Sequence, residues 1–191
     1  RIEERAAAVP AGRAAALWRD TARRAARVEV PDAEGTAAAA FYFALRETAG
    51  EQGLDALAVG CYPRLMGRVC LAASLLADEG IPLACEGDVH GAIAQYVLAR
   101  LSGRPTHNAD WLDPLPDGSV VFTHCGSGSF DIAAPGAPVR LAPVRLMGQG
   151  VCALFPAAAG PVTMLSLSAG TDRYELAMLE GEALPAEMVS S

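Results

Sequence analysis

The sequence predicts an α/β fold: a parallel sheet with flanking helices in the first half, followed by an antiparallel β-barrel or sandwich-like second half. Three observations carry this prediction. From Gly12 to Arg104, short apolar runs alternate with helical periodicities, the pattern of strands joined by helical crossovers. Past Asp110 the helical spacing stops, and Pro, Gly and Ser punctuate short apolar runs that suit antiparallel strands. A hydrophobic share of 52% over 191 residues is ample for a core.

In chain order, a helix is expected near 12–27 and a short strand at Arg27–Val30. A helix near 33–50 follows, with Phe41, Leu45 and Thr48 on one face. Its Ala-rich stretches are ordinary helix, because Ala is the best helix former, and Trp18 and Phe41 belong to the core. Then come a strand at Ala56–Cys61, a helix near 67–79 and a strand at 81–86. A helix over 88–102 repeats Val89, Ile93, Tyr96, Val97 and Leu101 at helical spacing until Ser102-Gly103 stops it. The later apolar runs are Ser119–Thr123, Val139–Ala142, Val151–Phe155, Val162–Ser168 and Tyr174–Leu179. The change of character falls at Arg104–Asp110. Residues 1–105 therefore read as a partial, Rossmann-like α/β domain and 106–191 as a mostly antiparallel β domain. The second is expected to be cut short, because Met188–Ser191 contains no terminating element.

Composition excludes several functions. A net charge of −7 and a pI near 4.9 repel nucleic acid and acidic lipid, so the expected partner is a small molecule, with no nucleic acid and no membrane. All 15 basic residues are Arg; without Lys the chain builds no Schiff base and no phosphate-loop lysine. The five Cys, at 61, 70, 85, 125 and 152, are odd in number and form no Cys-x-x-Cys pair, which points to free thiols in a reducing cytoplasm. No apolar run approaches the roughly 18 residues of a membrane span.

The chemistry concentrates in Cys85-Glu86-Gly87-Asp88-Val89-His90-Gly91 and in Asp110, 24 positions after Glu86. If a second parallel strand ends at Asp110, a right-handed crossover brings both carboxylates to the carboxyl edge of the sheet, where open α/β sheets bind ligands. Two carboxylates on one crevice can hold a divalent cation or act as a proton-transfer pair. Asp88 suits the helix cap, which leaves Glu86 free for chemistry. His124 ends the strand before the flexible Cys125-Gly126-Ser127-Gly128-Ser129 loop and would complete a mixed N/O site suited to Mn²⁺ or another divalent cation. His90, early in the helix, and His107, just before the second carboxylate, rank below it. The Gly126-Ser-Gly128-Ser run only imitates a phosphate loop, since no strand-to-helix transition follows it.

Several segments together resemble the L-fucose isomerase family and its L-arabinose isomerase relatives, over about residues 35 to 183. They are Leu54–Cys61, Cys70-Leu-Ala-Ala-Ser-Leu-Leu, Ala84–Gly91, Ala109-Asp110-Trp111, His124-Cys-Gly126 and Gly160-Pro-Val-Thr163 leading to Glu180-Gly-Glu182. The resemblance implies a metal-dependent aldose–ketose isomerase that acts on a free sugar such as L-fucose or L-arabinose through an enediol. It assigns Glu86 and Asp110 to catalysis and metal binding, His124 to the metal in the manner of the arabinose branch, and Mn²⁺ as the cofactor. It also implies a homo-oligomer, a trimer or hexamer with the active site at a subunit contact. One departure stands out: that family has a late metal histidine, and no His follows residue 124 here. The alternative reading is a non-catalytic sugar-binding or regulatory relative.

Overall fold

The computed structural model describes residues 1–186. The expectation concerning Met188–Ser191 lies outside them. Five helices come first, interleaved with short strands: α1 (Ile2–Ala8), α2 (Ala11–Ala22), β1 (Arg27–Val28), α3 (Asp32–Gln52), β2 (Leu57–Ala58), α4 (Cys70–Asp78), β3 (Leu83–Ala84) and α5 (Val89–Ser102). The remainder is β4 (Asp110–Pro114), β5 (Val120–Thr123), a 3₁₀ turn at Phe130–Ile132, β6 (Arg140–Val144), β7 (Gln149–Leu154), β8 (Gly160–Ala169) and β9 (Tyr174–Ala183).

The long α3 is the spine of the first half. Pro31 precedes it, Asp32 and Glu34 place negative charge at its amino end, and Gly53 stops it in the left-handed conformation with φ 62°. The Trp18 ring lies on Gly35 of α3, and its Nε1 donates to Asp32 Oδ1 at 2.7 Å. α4 is buried on every side from Cys70 to Ala77, which its uniformly apolar sequence allows. These helices share one core with Leu57, Leu83, Leu141, Val151 and Phe130, so strands from both halves contribute to it.

The expected parallel sheet is present but small. β2 and β3 pair in parallel with Leu57 opposite Leu83 and Ala58 opposite Ala84. The expectation that the strand at 27–30 joins this sheet is corrected: β1 pairs in parallel with β6, which pairs antiparallel with β7. The bidentate ion pair of Arg140 with Glu29, at 2.9 and 3.2 Å, fastens this edge.

The antiparallel character of the second half holds, with β4–β5 and β8–β9 forming two-stranded ribbons. Among the described residues no closed barrel forms, because neither ribbon has a third strand. Helix α5 packs on β8, while most of β9 is exposed. No helix among the described residues is long and apolar enough to cross a membrane.

Two glycine contacts set the site loops on β7. Val151 N donates to Gly67 O at 3.0 Å, and a Cβ on Gly150 would stand 2.2 Å from the Gly67 carbonyl carbon. Ala153 N donates to Gly126 O at 3.0 Å, and Gly126 leaves no room for a side chain against Cys152.

Candidate active site

Glu86 follows β3 in a left-handed conformation, φ 61°, and is the one non-glycine with positive φ among the described residues. A left-handed residue with a β-carbon carries strain, which the backbone around it supports. Gly87 N donates to Val59 O at 3.0 Å, and Asp88 N donates to Cys85 O at 3.1 Å. The turn leaves Glu86 exposed at the carboxyl end of the β2–β3 pair, with no ion pair among the described residues. Asp88 caps α5 as expected, its Oδ1 accepting from Gly91 N at 2.8 Å.

Asp110 reaches the site by a different route from the expected one. No strand runs through 104–109; Asp110 opens β4, where it pairs with Thr123 of the antiparallel β5. Pro105 early in this stretch removes one backbone donor that a central strand would need. His124 follows β5 directly, so the open end of the hairpin brings the two residues together, with His124 Nε2 3.9 Å from Asp110 Oδ2. The imidazole is 4% exposed and the carboxylate 74%. At that distance Nε2 makes no hydrogen bond, and Nδ1 is buried without a partner.

Three cysteines that the sequence reading left out of the site, and His107, which it ranked low, interact with these groups. The Cys61 thiol is drawn well below the usual thiol range, chiefly by the Cys85 thiol beside it, against burial and with help from the Glu86 amide and His124. Cys85 is raised by the same contact and by its own burial. Burial pushes Cys125 up, and Cys61, Glu86 and Asp110 add to the shift, so both carboxylates act on the residue that follows His124. Burial and His124 push His107 down to about 4, against the pull of Asp110. Cys61 lies just beyond a parallel strand at the same edge as Glu86, and that position was the available signal.

Asp110 and His124 are thus direct neighbours, and Glu86 shares their electrostatic surroundings. Among the described residues no group of three His, Cys, Asp or Glu stands at metal-holding spacing. The donor chemistry still suits a borderline or hard divalent cation: two carboxylates, and an imidazole with neither nitrogen hydrogen-bonded. His90 stands apart, its ring edge-on to Tyr174 at 6.2 Å.

No protein-family profile matches the chain. It is similar to sulfoquinovose isomerase of Alkalicoccus urumqiensis, with 36% identity over 154 residues, 76% of this chain and 34% of that protein. It is also similar to sulfoquinovose isomerase of Priestia megaterium, with 35% identity over 145 residues, 70% of this chain and 31% of that protein. A shorter match, 34% identity over 104 residues, links it to sulfoquinovose isomerase of Clostridium sp. (strain MSTE9) and covers 50% of this chain and 23% of that protein. The chain spans about a third of the length of the curated relatives it matches.

Proposed function

We propose that this chain carries the proton-handling part of an aldose–ketose isomerase, with Glu86, Asp110 and His124 at its centre and Mn²⁺ or another divalent cation as cofactor. The observation that carries this reading is the closeness of Asp110 to an otherwise unsatisfied His124; the left-handed Glu86 acts with them on the thiols of Cys61 and Cys125. The similarity to sulfoquinovose isomerases supports the reaction class.

The substrate this favours is a sulfonated six-carbon aldose such as sulfoquinovose. L-Fucose or L-arabinose follows only from the resemblance to those isomerases. The interconversion moves a proton between C1 and C2 of the sugar through an enediol. One carboxylate of the Glu86 and Asp110 pair takes the proton and the pair returns it to the adjacent carbon, each step needing a group within hydrogen-bond reach. A bound divalent cation would supply charge stabilisation for the anionic oxygen of the enediolate. Asp110 and His124 are the first candidates to hold it, with Glu86 as the third. The small-molecule sugar is the proposed partner, in the cytoplasm, within a homo-oligomer. Assembly would cover apolar side chains exposed on the ribbons, among them Trp111, Leu112, Leu176 and Met178.

The second reading, a sugar-binding relative without turnover, is favoured by the lack of a preassembled three-ligand group among the described residues. Ketose formation from sulfoquinovose by the full-length polypeptide separates the two. Activity that is lost to a chelator, restored by Mn²⁺ and reduced by orders of magnitude in Glu86→Gln supports the isomerase. Sugar binding without turnover at any metal concentration supports the module, and full turnover in Glu86→Gln removes Glu86 from the mechanism.

A further inference from the structure

Asp110 owes its place to residues outside β4. All five residues of that strand are exposed, and among the described residues no side-chain hydrogen bond holds the Asp110 carboxylate. Its backbone pairs with Thr123 at the open end of the β4–β5 hairpin, the end at which a two-stranded ribbon frays.

Residues 106–108, just ahead of that end, make three attachments. Thr106 Oγ1 donates to Gln95 O of α5 at 3.1 Å. The His107 ring lies on Gly128, with Nδ1 3.4 Å and Cε1 3.5 Å from the point a Cβ on that glycine would occupy. Asn108 Oδ1 lies 3.1 Å from the corresponding point on Gly91, beside the Asp88 carboxylate that caps α5. All three residues are half-buried, whereas Asp110 is exposed. Gly128 stands four residues after His124, so the His107 contact joins the two chain segments that leave the open end of the hairpin. Gly91 belongs to the first turn of the helix that follows the Glu86 turn, so the Asn108 contact joins the approach to Asp110 to that side of the site.

We propose that His107 and Asn108 are positioning residues that act through Asp110. His107 clamps the open end of the hairpin against the loop after His124, and Asn108 holds it to α5 beside the Glu86 turn. Neither side chain needs to touch the sugar or a metal. The role rests on the assignment of Asp110 to the proton transfer.

Crystal structures of the full-length wild type, His107→Ala and Asn108→Ala test the placement itself. His107→Ala should widen the 3.9 Å separation of Asp110 Oδ2 from His124 Nε2 by about 1 Å, and Asn108→Ala should move Asp110 from Glu86 by a similar distance. Asp110 unmoved in either variant removes that residue from the role. Should His107→Ala not fold, Gly128→Ala crowds the same ring and is read in the same way. At saturating Mn²⁺, kcat for sulfoquinovose should fall about 10²-fold in each variant with KM unchanged, the loss expected of such a misplacement. In an Asp110→Asn background neither substitution should lower kcat further, because no carboxylate remains to be placed. Equal losses in both backgrounds would mark general damage to the fold and overturn the proposal. A wild type that turns over no sugar would end the isomerase reading, while the structures would still decide whether these two side chains place Asp110.

Discussion

His124 and Asp110 face each other at 3.9 Å across the open end of one hairpin, the imidazole almost fully buried and the carboxylate largely in solvent. This asymmetry separates chemistry from stability at the two positions. The buried ring contributes to packing, whereas an exposed carboxylate contributes little to the fold.

Asp110→Asn should therefore reduce isomerase kcat by about 10²- to 10⁴-fold, the usual contribution of one acid–base group. Its melting temperature should stay at the wild-type value, because the side chain is exposed and bears no packing load. Matched kinetics and thermal melts of the full-length enzyme check this. An unchanged kcat would remove Asp110 from the mechanism.

At Glu86 the loss of turnover should come with a gain in stability. Glycine accepts its left-handed backbone without a β-carbon penalty, so Glu86→Gly should stabilise the fold by about 1 kcal/mol while abolishing turnover. Glu86→Gln keeps the strain and should lose turnover without gaining stability. Urea titrations of the three proteins distinguish the cases, and a destabilised glycine variant would show that the turn is unstrained.

His107 gives the fold a pH dependence. Its folded value of about 4 lies below the roughly 6.5 of an unfolded chain, so between these values the unfolded state binds more protons. Stability should rise with pH across that window and fall on acidification from about 6.5 towards 4, by about 3 kcal/mol at most. The urea midpoint measured from pH 4 to 7 should fall less steeply on acidification in His107→Gln than in wild type. Equal slopes would assign the acid sensitivity to other groups.

Gly35 is where α3 admits the Trp18 ring. A Cβ there would stand 2.1 Å from Trp18 Cδ2, so Gly35→Ala must displace the indole and strain its bond to Asp32. Overpacking of this kind costs about 1–3 kcal/mol, despite the better helix propensity of Ala. A lowered melting temperature with altered tryptophan fluorescence is the expected result.

Local features were legible in the sequence where the chemistry is local. The Asp88 cap follows from a short acceptor just ahead of a helical apolar repeat, and the structure places its Oδ1 on Gly91 N. The position of Glu86 after β3 follows from the apolar run that precedes it. Both ends of the β8–β9 ribbon lie close to the apolar runs that announced it. Pairings between distant segments were not legible. Nothing in Arg27–Val28 says that β6 is its partner, since alternation reports a buried face and not the neighbour on the hydrogen-bonding edge. Asp110 was expected to arrive through a second parallel strand, but a hairpin delivers it. Cys61 was missed as a neighbour of the site because its apolar strand suggested only core.

The stretch from Gly150 to Ala153 sits behind both loops of the candidate site, touching Gly67 at one end and Gly126 at the other. It acts as a ruler whose divisions are whole residues. An insertion of one amino acid between these marks would change the spacing by about 3.3 Å and reverse the facing of every residue beyond it. Apart from Gly67 and Gly126 themselves, the loop residues on either side can vary, while the length of this backing segment cannot.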